Sequence, residues 1–216
     1  EVKRMGLDTL DELMNLVPGF QSYRSSAGPV YYPFSSRGRR VSNPAVEILI
    51  LVDGQRLADA STSGSAEYVP KFPLLHIARV EFIRGPGAAI YGSNAMMGVI
   101  NVTTRSDANE ANISYGSFNR RQGYLLTSQN LANVKMDMFV HIEDDEGDNY
   151  TLPDTFSSDQ IDTNDPRQFV NLNMKFRWQS TSINIRHNQF KSKNFYVLGG
   201  TANGINKIGA RISSIS

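Results

Sequence analysis

The stretch RVEFIRGPGAAIYGSNAMMGVINVTTR, residues 79–105, places a glycine-rich turn between two apolar runs. In the first run Val80 and Phe82 alternate with Arg79 and Glu81, and the second run is GVINVTTR. Alternation of this kind is typical of β-strands, so the stretch is predicted to be strand, turn and strand. The turn decides the class of protein, because glycine-rich turns after a strand often bind phosphate.

The turn lacks the residues that a phosphate site needs. A phosphate-binding loop follows the pattern G-x-x-x-x-G-K-[ST], in which the lysine contacts the phosphates. The segment GAAIYGSN, residues 87–94, has no lysine, and Ile90 stands where a third glycine of a dinucleotide motif would be. The turn is therefore predicted to be structural, with Pro86 opening a short helix and Gly92 ending it at a positive φ.

Composition excludes several classes of protein. The 216 residues contain no cysteine, which excludes disulfides and thiolate metal sites. The net charge of +1 gives no general attraction to nucleic acid. No apolar run is long enough for a transmembrane helix. The N-terminal EVKRMGLDTL lacks the features of a signal peptide, so a mature or trimmed chain is expected.

The first half of the chain predicts a small α+β domain with a mixed sheet and short helices. Apolar residues at helical spacing follow a T-x-x-E capping box at Thr9 and Glu12, and Pro18-Gly19 ends the helix. The run VEILILVDG, residues 46–54, predicts a strand buried on both faces. Helix and short strands together extend to about residue 105.

After Arg105 the pattern changes to alternating strands. The clearest runs are residues 134–143 and 170–178, and weaker runs bring the number of strands to five. Apolar and polar side chains alternate along them, so each strand has two unlike faces. A soluble β-sandwich also alternates. However, the clear runs are long enough to cross a bilayer, and short turns (130–133, 179–182) contrast with the long acidic loop 144–168, as in outer-membrane barrels.

The segments ILVDGQRL (50–57) and IARVEFIRGPGAAIYGSNAMMGVINVTTR (77–105) together resemble the plug domain of TonB-dependent outer-membrane receptors. Upstream, TLDELMNLVPGF (9–20) is similar to the first helix of the plug, and FSSRGRR (34–40) to its first strand end. The resemblance implies a plug domain over residues 1–105 and the first strands of an incomplete transmembrane β-barrel over 106–216. The structural residues of its motif are Asp53, Gly54, Gly85, Pro86, Tyr91, Gly92, Gly98 and Asn101.

The resemblance also implies a function. Receptors of this family import scarce nutrients across the outer membrane of Gram-negative bacteria, and an iron–siderophore or haem-type chelate is the expected cargo. The TonB–ExbB–ExbD complex supplies energy through a segment that this chain lacks. Arg37 and Arg84 are expected to lock the plug to barrel glutamates. Neither an enzymatic activity, nor a cofactor, nor a nucleic-acid partner is expected.

Candidate ligand contacts lie in the loops that such a plug raises toward the cell exterior. These residues are Tyr31, Tyr32, Arg39, Arg40, Asn43, Asp59 and Thr62. The acidic loop 144–168 lacks the oxygen spacing of an EF-hand and is expected to be a solvated loop. The histidines are far apart in sequence, so no metal site is predicted.

Two alternatives remain open from the sequence. One is a surface module of the same architecture that binds colicins or phage or acts in adhesion. The other is a nucleotide-binding enzyme domain fused to a β-domain, which needs a phosphate-contacting lysine and a catalytic cluster.

Overall fold

A computed structural model describes residues 5–24, 32–38, 47–57, 71–153, 159–193 and 207–216. The described residues form two compact units, the first ending at Arg105 and the second running from Ser106 to Ser216. No helix in these ranges has the length and apolar character that crossing a membrane requires.

The first unit contains two short helices and two sheets. Its elements are α1 (Leu10–Asn15), β1 (Phe20–Ser22), β2 (Phe34–Ser36), β3 (Ile48–Val52), β4 (Gln55–Arg56), a 3-10 turn (Leu74–His76), β5 (Ile77–Arg84), α2 (Ala88–Tyr91) and β6 (Gly98–Thr104). β1 and β2 form an antiparallel ribbon, and the other sheet has the order β4-β3-β6-β5. β3 pairs with β6 in parallel and β5 with β6 antiparallel, so the predicted α+β unit with a mixed sheet is confirmed.

Helix α1 begins where the capping box predicts. Thr9 precedes it with extended backbone, and the carboxylate of Glu12 accepts hydrogen bonds from the backbone N–H groups of Asp8 (2.7 Å) and Thr9 (3.3 Å). These bonds satisfy donors that a helix start leaves unpaired. The apolar face of α1, with Leu10 and Met14, is buried.

Strand β3 forms the centre of the first unit, and all five of its residues are buried. Ile48, Ile50 and Val52 pack into the larger apolar cluster beneath α1 and the β1–β2 ribbon. Leu49 and Leu51 point the other way into a second cluster with Ala95 and Val99. The prediction that this run is buried on both faces is confirmed.

The glycine-rich turn joins β5 to β6 through α2, as a strand, a helical turn and a strand. Gly92 ends α2 at φ 78°, as predicted. The helix begins at Ala88 with Gly87 as its N-cap, so Pro86 precedes the helix instead of taking its first position. Close packing explains two glycines. A Cβ on Gly87 would lie 2.9 Å from Val99 Cγ2, and one on Gly98 would lie 2.9 Å from the Ile83 carbonyl oxygen.

The second unit is built from antiparallel strands. They are β7 (Glu110–Tyr115), β8 (Arg121–Leu131), β9 (Val134–Asp145), β10 (Asn149–Pro153), β11 (Gln160–Asn164), β12 (Arg167–Trp178), β13 (Thr181–Lys193) and β14 (Lys207–Ile215). Six of them form one sheet in the order β14-β13-β12-β9-β8-β7, while β10 and β11 form a hairpin of their own. The expectation of five strands is wrong, because it omitted β14 and this hairpin.

The six-stranded sheet has an apolar face and a polar face. The apolar face carries residues such as Ile142 and Val170, whose side chains are 57% and 39% exposed. The polar face carries residues such as His141, Glu143 and Asn171, which are at most 7% exposed. The predicted alternation is confirmed, and its burial is the reverse of that in a soluble sandwich, where the apolar face is the covered one.

The two ends of this sheet differ. At one end, two-residue turns join β8 to β9 and β12 to β13, and Trp178 lies there with half of its surface exposed. At the other end, the β9–β12 connection carries the β10–β11 hairpin. We call these the short-turn end and the long-loop end.

Candidate functional site

Two arginines of the first unit come together at one cavity. Arg37 directly follows β2, and Arg84 is the last residue of β5. Both line a cavity of about 370 Å³ together with Pro18, Gly19 and Ser36. Both arginines contact the Pro18–Gly19 backbone: Arg37 N–H donates to the Gly19 carbonyl (2.7 Å), and Arg84 Nη1 donates to the Pro18 carbonyl (3.4 Å).

The chemistry of this cavity is that of an anion site. Both arginines are exposed, and no carboxylate is among the residues that line the cavity in the described part of the chain. Gly85 lies beside the Arg37 guanidinium, since a Cβ placed on it would be in ordinary contact with Arg37 Nη2 (3.6 Å), and its φ of 123° is a conformation that favours glycine. A guanidinium presents a planar fork of donors that matches a carboxylate. Two of them at one cavity favour a carboxylate as the occupant.

The Asp53–Gly54 turn links the ends of two neighbouring strands. Asp53 has φ 52° and Gly54 φ 79°, a left-handed pair that suits a tight hairpin from β3 to β4. The Asp53 carboxylate accepts from Thr104 N–H (3.0 Å) and Thr104 Oγ1 (2.8 Å). The aspartate therefore fixes the end of β6 against the turn.

Arg56 is a positioning residue that sequence reasoning missed. Its guanidinium donates to the Tyr91 carbonyl (3.2 Å), the Ser93 carbonyl (2.5 Å) and Ser93 Oγ (3.1 Å). It thereby satisfies carbonyl groups at the end of α2. The pairing joins segments that are distant in sequence, so no local signal predicts it. On the same sheet, Asn101 Nδ2 donates to Glu81 Oε2 (2.9 Å).

Most of the predicted ligand contacts lie outside the described residues. These are Tyr31, Arg39, Arg40, Asn43, Asp59 and Thr62. Tyr32 is described and is only 4% exposed, so it does not occupy the exposed loop position expected for it. Lys71 Nζ lies 4.3 Å from the centre of the Tyr32 ring and 3.3 Å from Asp11 Oδ2. The ligand-binding role of all seven residues stays a prediction.

The polar face of the second unit carries a buried hydrogen-bond network. Glu143 accepts from Arg120 Nη2 (3.1 Å) and Gln122 Nε2 (3.3 Å). His141 Nδ1 lies 2.9 Å from Asn171 Nδ2, and its Nε2 lies 3.6 Å from Glu143 Oε2. The network ties three neighbouring strands together. Its polar side chains bond to one another, so the network stabilises the six-stranded sheet.

The histidines lie far apart along the part of the chain that the structure describes. Within the described ranges, no group of three histidine, aspartate or glutamate side chains is arranged to hold a metal ion. His76 packs against Phe72 in the first unit with the two rings tilted by 45°, and His141 and His187 lie on opposite faces of the second unit's sheet.

Comparison with known proteins identifies the domain family of the first unit. Residues 1–99 match the family model described as the TonB-dependent Receptor Plug Domain. These residues are a TonB-dependent receptor plug domain. The resemblance seen in the sequence is confirmed, and the family consists of receptor domains, not of enzymes.

Solved receptor structures share the fold of the plug domain and the strands after it. The ferric yersiniabactin uptake receptor FyuA from Yersinia pestis is 20% identical, with a TM-score of 0.62 over 89% of this chain and 30% of that chain. The siderophore receptor PirA from Acinetobacter baumannii is 17% identical, with a TM-score of 0.58 over 89% and 30%. The ferripyoverdine receptor of Pseudomonas aeruginosa is 16% identical, with a TM-score of 0.62 over 87% and 24%.

These figures set the scope of the likeness. The chain spans less than a third of the length of each receptor. The fold class is confirmed as a mixed-sheet plug followed by antiparallel strands of an incomplete sheet. Among the described strands, β7 pairs with β8 alone and β14 with β13 alone, so both edges of the six-stranded sheet are open.

Proposed function

We propose that this chain belongs to a TonB-dependent receptor that imports an iron–siderophore or a similar metal chelate across the outer membrane of a Gram-negative bacterium. The observation that carries the proposal is the plug domain match over residues 1–99. The solved receptors of like fold are a ferric yersiniabactin uptake receptor, a siderophore receptor and a ferripyoverdine receptor, which favours the same class of cargo here.

The sheet after the plug has an exposed apolar face and a strand length that favour insertion into a membrane. Its apolar face leaves Ile142, Leu125, Ile183 and Val170 substantially exposed, whereas a soluble protein covers such a surface. From Val134 to Ile142 the apolar positions of β9 span about 27 Å along the strand at 3.4 Å per residue. At a barrel tilt of about 40° this length covers about 21 Å along the membrane normal, which is most of the apolar band of an outer-membrane barrel, about 25 Å tall.

The arginine cavity supports a role in holding the plug. We infer that a carboxylate of barrel strands beyond this chain enters between Arg37 and Arg84. Such a pair is strong enough to position the plug, because both donors are charged and geometrically matched. It can also be broken, since both guanidinia keep access to water and can be resolvated when the carboxylate leaves.

Transport in this proposal involves binding and rearrangement, with no covalent step. The chelate binds at the exterior loops. The TonB–ExbB–ExbD complex pulls on the plug from the periplasm. Breaking the arginine–carboxylate contact releases part of the plug and opens a path. The residues of this chain that matter for transport are therefore the ones that attach the plug to the barrel.

The test uses the full-length receptor in an iron-starved Gram-negative host lacking its own chelate receptors. Growth rescue and uptake of radioactive iron are measured with ferric catecholate, hydroxamate and phenolate–thiazoline siderophores, and with haem. Uptake of one class that disappears in a strain lacking TonB supports the proposal. Binding of none of these probes to the purified receptor, with no TonB-dependent growth phenotype, would contradict it.

A further inference from the structure

The connection between the plug and the sheet is short and held at both sides. It runs from the end of β6 at Thr104 to the start of β7 at Glu110. On the plug side, Arg105 N–H donates to the His76 carbonyl (2.8 Å). On the sheet side, contacts begin at Asp107, so Ser106 alone separates the two attachments in the described chain.

Three consecutive residues of this connection are attached to the sheet by side chains. Asp107 N–H lies 3.4 Å from Asp137 Oδ1, and the Asp107 carboxylate pairs with Lys135. Ala108 N–H donates to Ser128 Oγ (3.1 Å). Asn109 Oδ1 accepts from Ser128 N–H (3.1 Å) and Thr127 Oγ1 (3.0 Å). We call Asp107, Ala108, Asn109, Ser128 and Asp137 the linker clamp.

Asp137 is the centre of the linker clamp. It lies on the polar face and is 8% exposed. Its carboxylate accepts from Ser128 Oγ (2.6 Å) and from the guanidinium of Arg177, and it faces the Asp107 N–H. A buried carboxylate with several donors is held firmly, because removing one partner leaves a charge or a donor unsatisfied.

We propose that Asp137 is a positioning residue that makes the C-terminal end of the plug a fixed pivot during transport. This inference rests on the proposed function. If the contacts of the linker clamp persist while force is applied to the N-terminal side of the plug, the rearrangement is confined to segments before β6. Ser106 is then the residue that separates the segment held in the plug from the segment held by the linker clamp.

Arg105 supplies a direct test, because trypsin cleaves after arginine and needs several residues of extended, accessible chain. Purified full-length receptor in detergent micelles, in which both ends of the barrel are accessible, is treated with trypsin, and the new N-terminus at Ser106 is quantified by mass spectrometry. Wild type is expected to resist cleavage at this bond. The variant Asn109→Ala/Ser128→Ala is expected to be cut roughly tenfold faster, since it loses several linker contacts without stranding a buried charge.

Asp137→Asn is the second variant, and it is expected to show the same increase. Asp162→Asn is the matched control, because this aspartate accepts a hydrogen bond from Thr151 within the β10–β11 hairpin, away from the linker (2.8 Å). A global loss of stability would speed cleavage at many sites, whereas an opened linker clamp speeds it at Arg105 selectively. Equal cleavage of wild type and the double variant at Arg105 would overturn the proposal.

A transport measurement separates this inference from the proposed function. Linker-clamp variants are expected to bind the identified ferric siderophore with unchanged affinity and to import it at a lower maximal rate. If the wild-type receptor binds no siderophore yet the protease result holds, the proposed cargo is wrong and the linker clamp remains. If cleavage rises selectively while the maximal uptake rate is unchanged, the pivot is wrong.

Discussion

Arg37 and Arg84 line one cavity, although one residue follows the β1–β2 ribbon and the other ends a strand of the four-stranded sheet. The cavity therefore joins the two sheets of the plug domain. An anion bound there contacts both sheets at once, so its loss loosens one relative to the other. The proposed arginine lock would therefore determine how firmly the two sheets of the plug domain are held together.

The lock predicts that the two arginines matter through their geometry as well as their charge. In the full-length receptor, Arg84→Gln and Arg84→Lys are both expected to lower the melting temperature, because a lysine lacks the planar fork. Arg79→Gln is the control. Arg79 lies on the same strand, and its exposed ion pair with Glu81 (3.5 Å) contributes at most about 1 kcal/mol. Equal melting of all four proteins would remove Arg84 from the lock.

Glycine at positions 87 and 98 is predicted to be required by packing. Gly98→Ala places a methyl group 2.9 Å from the Ile83 carbonyl oxygen and 3.2 Å from the Phe20 ring, and overpacking of this kind costs about 1–3 kcal/mol. Gly87→Ala meets Val99 in the same way. Gly116→Ala is the control, since its methyl group would lie 3.7 Å from Arg120 Cβ. Chemical denaturation of the receptor distinguishes the three variants.

The Asp53 turn predicts a graded series. Asp53→Ala removes both hydrogen bonds to Thr104 and places alanine at a positive φ, so a loss of about 2–3 kcal/mol in the free energy of unfolding is expected. Asp53→Asn keeps one acceptor and a residue that tolerates this backbone, so it should lose less. An asparagine variant as unstable as the alanine variant would contradict this explanation.

Local patterns predicted much of this fold. The alternation in residues 134–143 and 170–178 indicated β9 and β12, and the run around Ile50 indicated a strand covered on both faces. Strand β14 was missed because KIGARISSI mixes glycine and serine into its alternation. The β10–β11 hairpin was missed because its strands are only five residues long and mostly polar.

The sites were harder to predict than the strands. The motif drew attention to Arg37 and Arg84, but their shared cavity depends on how two sheets pack. Tyr32 was expected in an exposed loop, and its burial under Lys71 depends on a contact between distant segments. The linker clamp depends on strand register, which brings Ser128 opposite Asp137. Such relations are non-local, so periodicity within one segment carries no information about them.

The two faces of the sheet predict unequal tolerance to charge. Met138 lies in the middle of the apolar face of β9, and a lipid-facing arginine near the bilayer midplane costs about 2–4 kcal/mol. Met138→Arg is therefore expected to reduce the fraction of receptor that folds into lipid vesicles. Asn112→Arg on the polar face of β7 is the control and should fold normally. Heat-modified gel mobility measures both, and equal folding would argue against lipid contact.

The linker clamp also predicts a dependence on pH. The hydrogen bond from Lys135 holds the pKa of Asp107 below its usual range. A carboxyl group whose pKa is lowered by folding stabilises the protein above its unfolded pKa, near 4, and this contribution is lost as the pH falls through the folded value. Wild type should therefore melt above Asp107→Asn at neutral pH, and the difference should close on acidification below about pH 4.

The size of this pH effect is expected to be small, because Asp107 is largely exposed and salt screens such pairs. The decisive feature is the direction in which the difference in melting temperature changes with pH. The measurement is the melting temperature of both full-length proteins between neutral and acidic pH, repeated at high salt, where the neutral-pH difference should shrink. A difference that grows on acidification would mean that the Lys135–Asp107 contact does not stabilise the linker clamp.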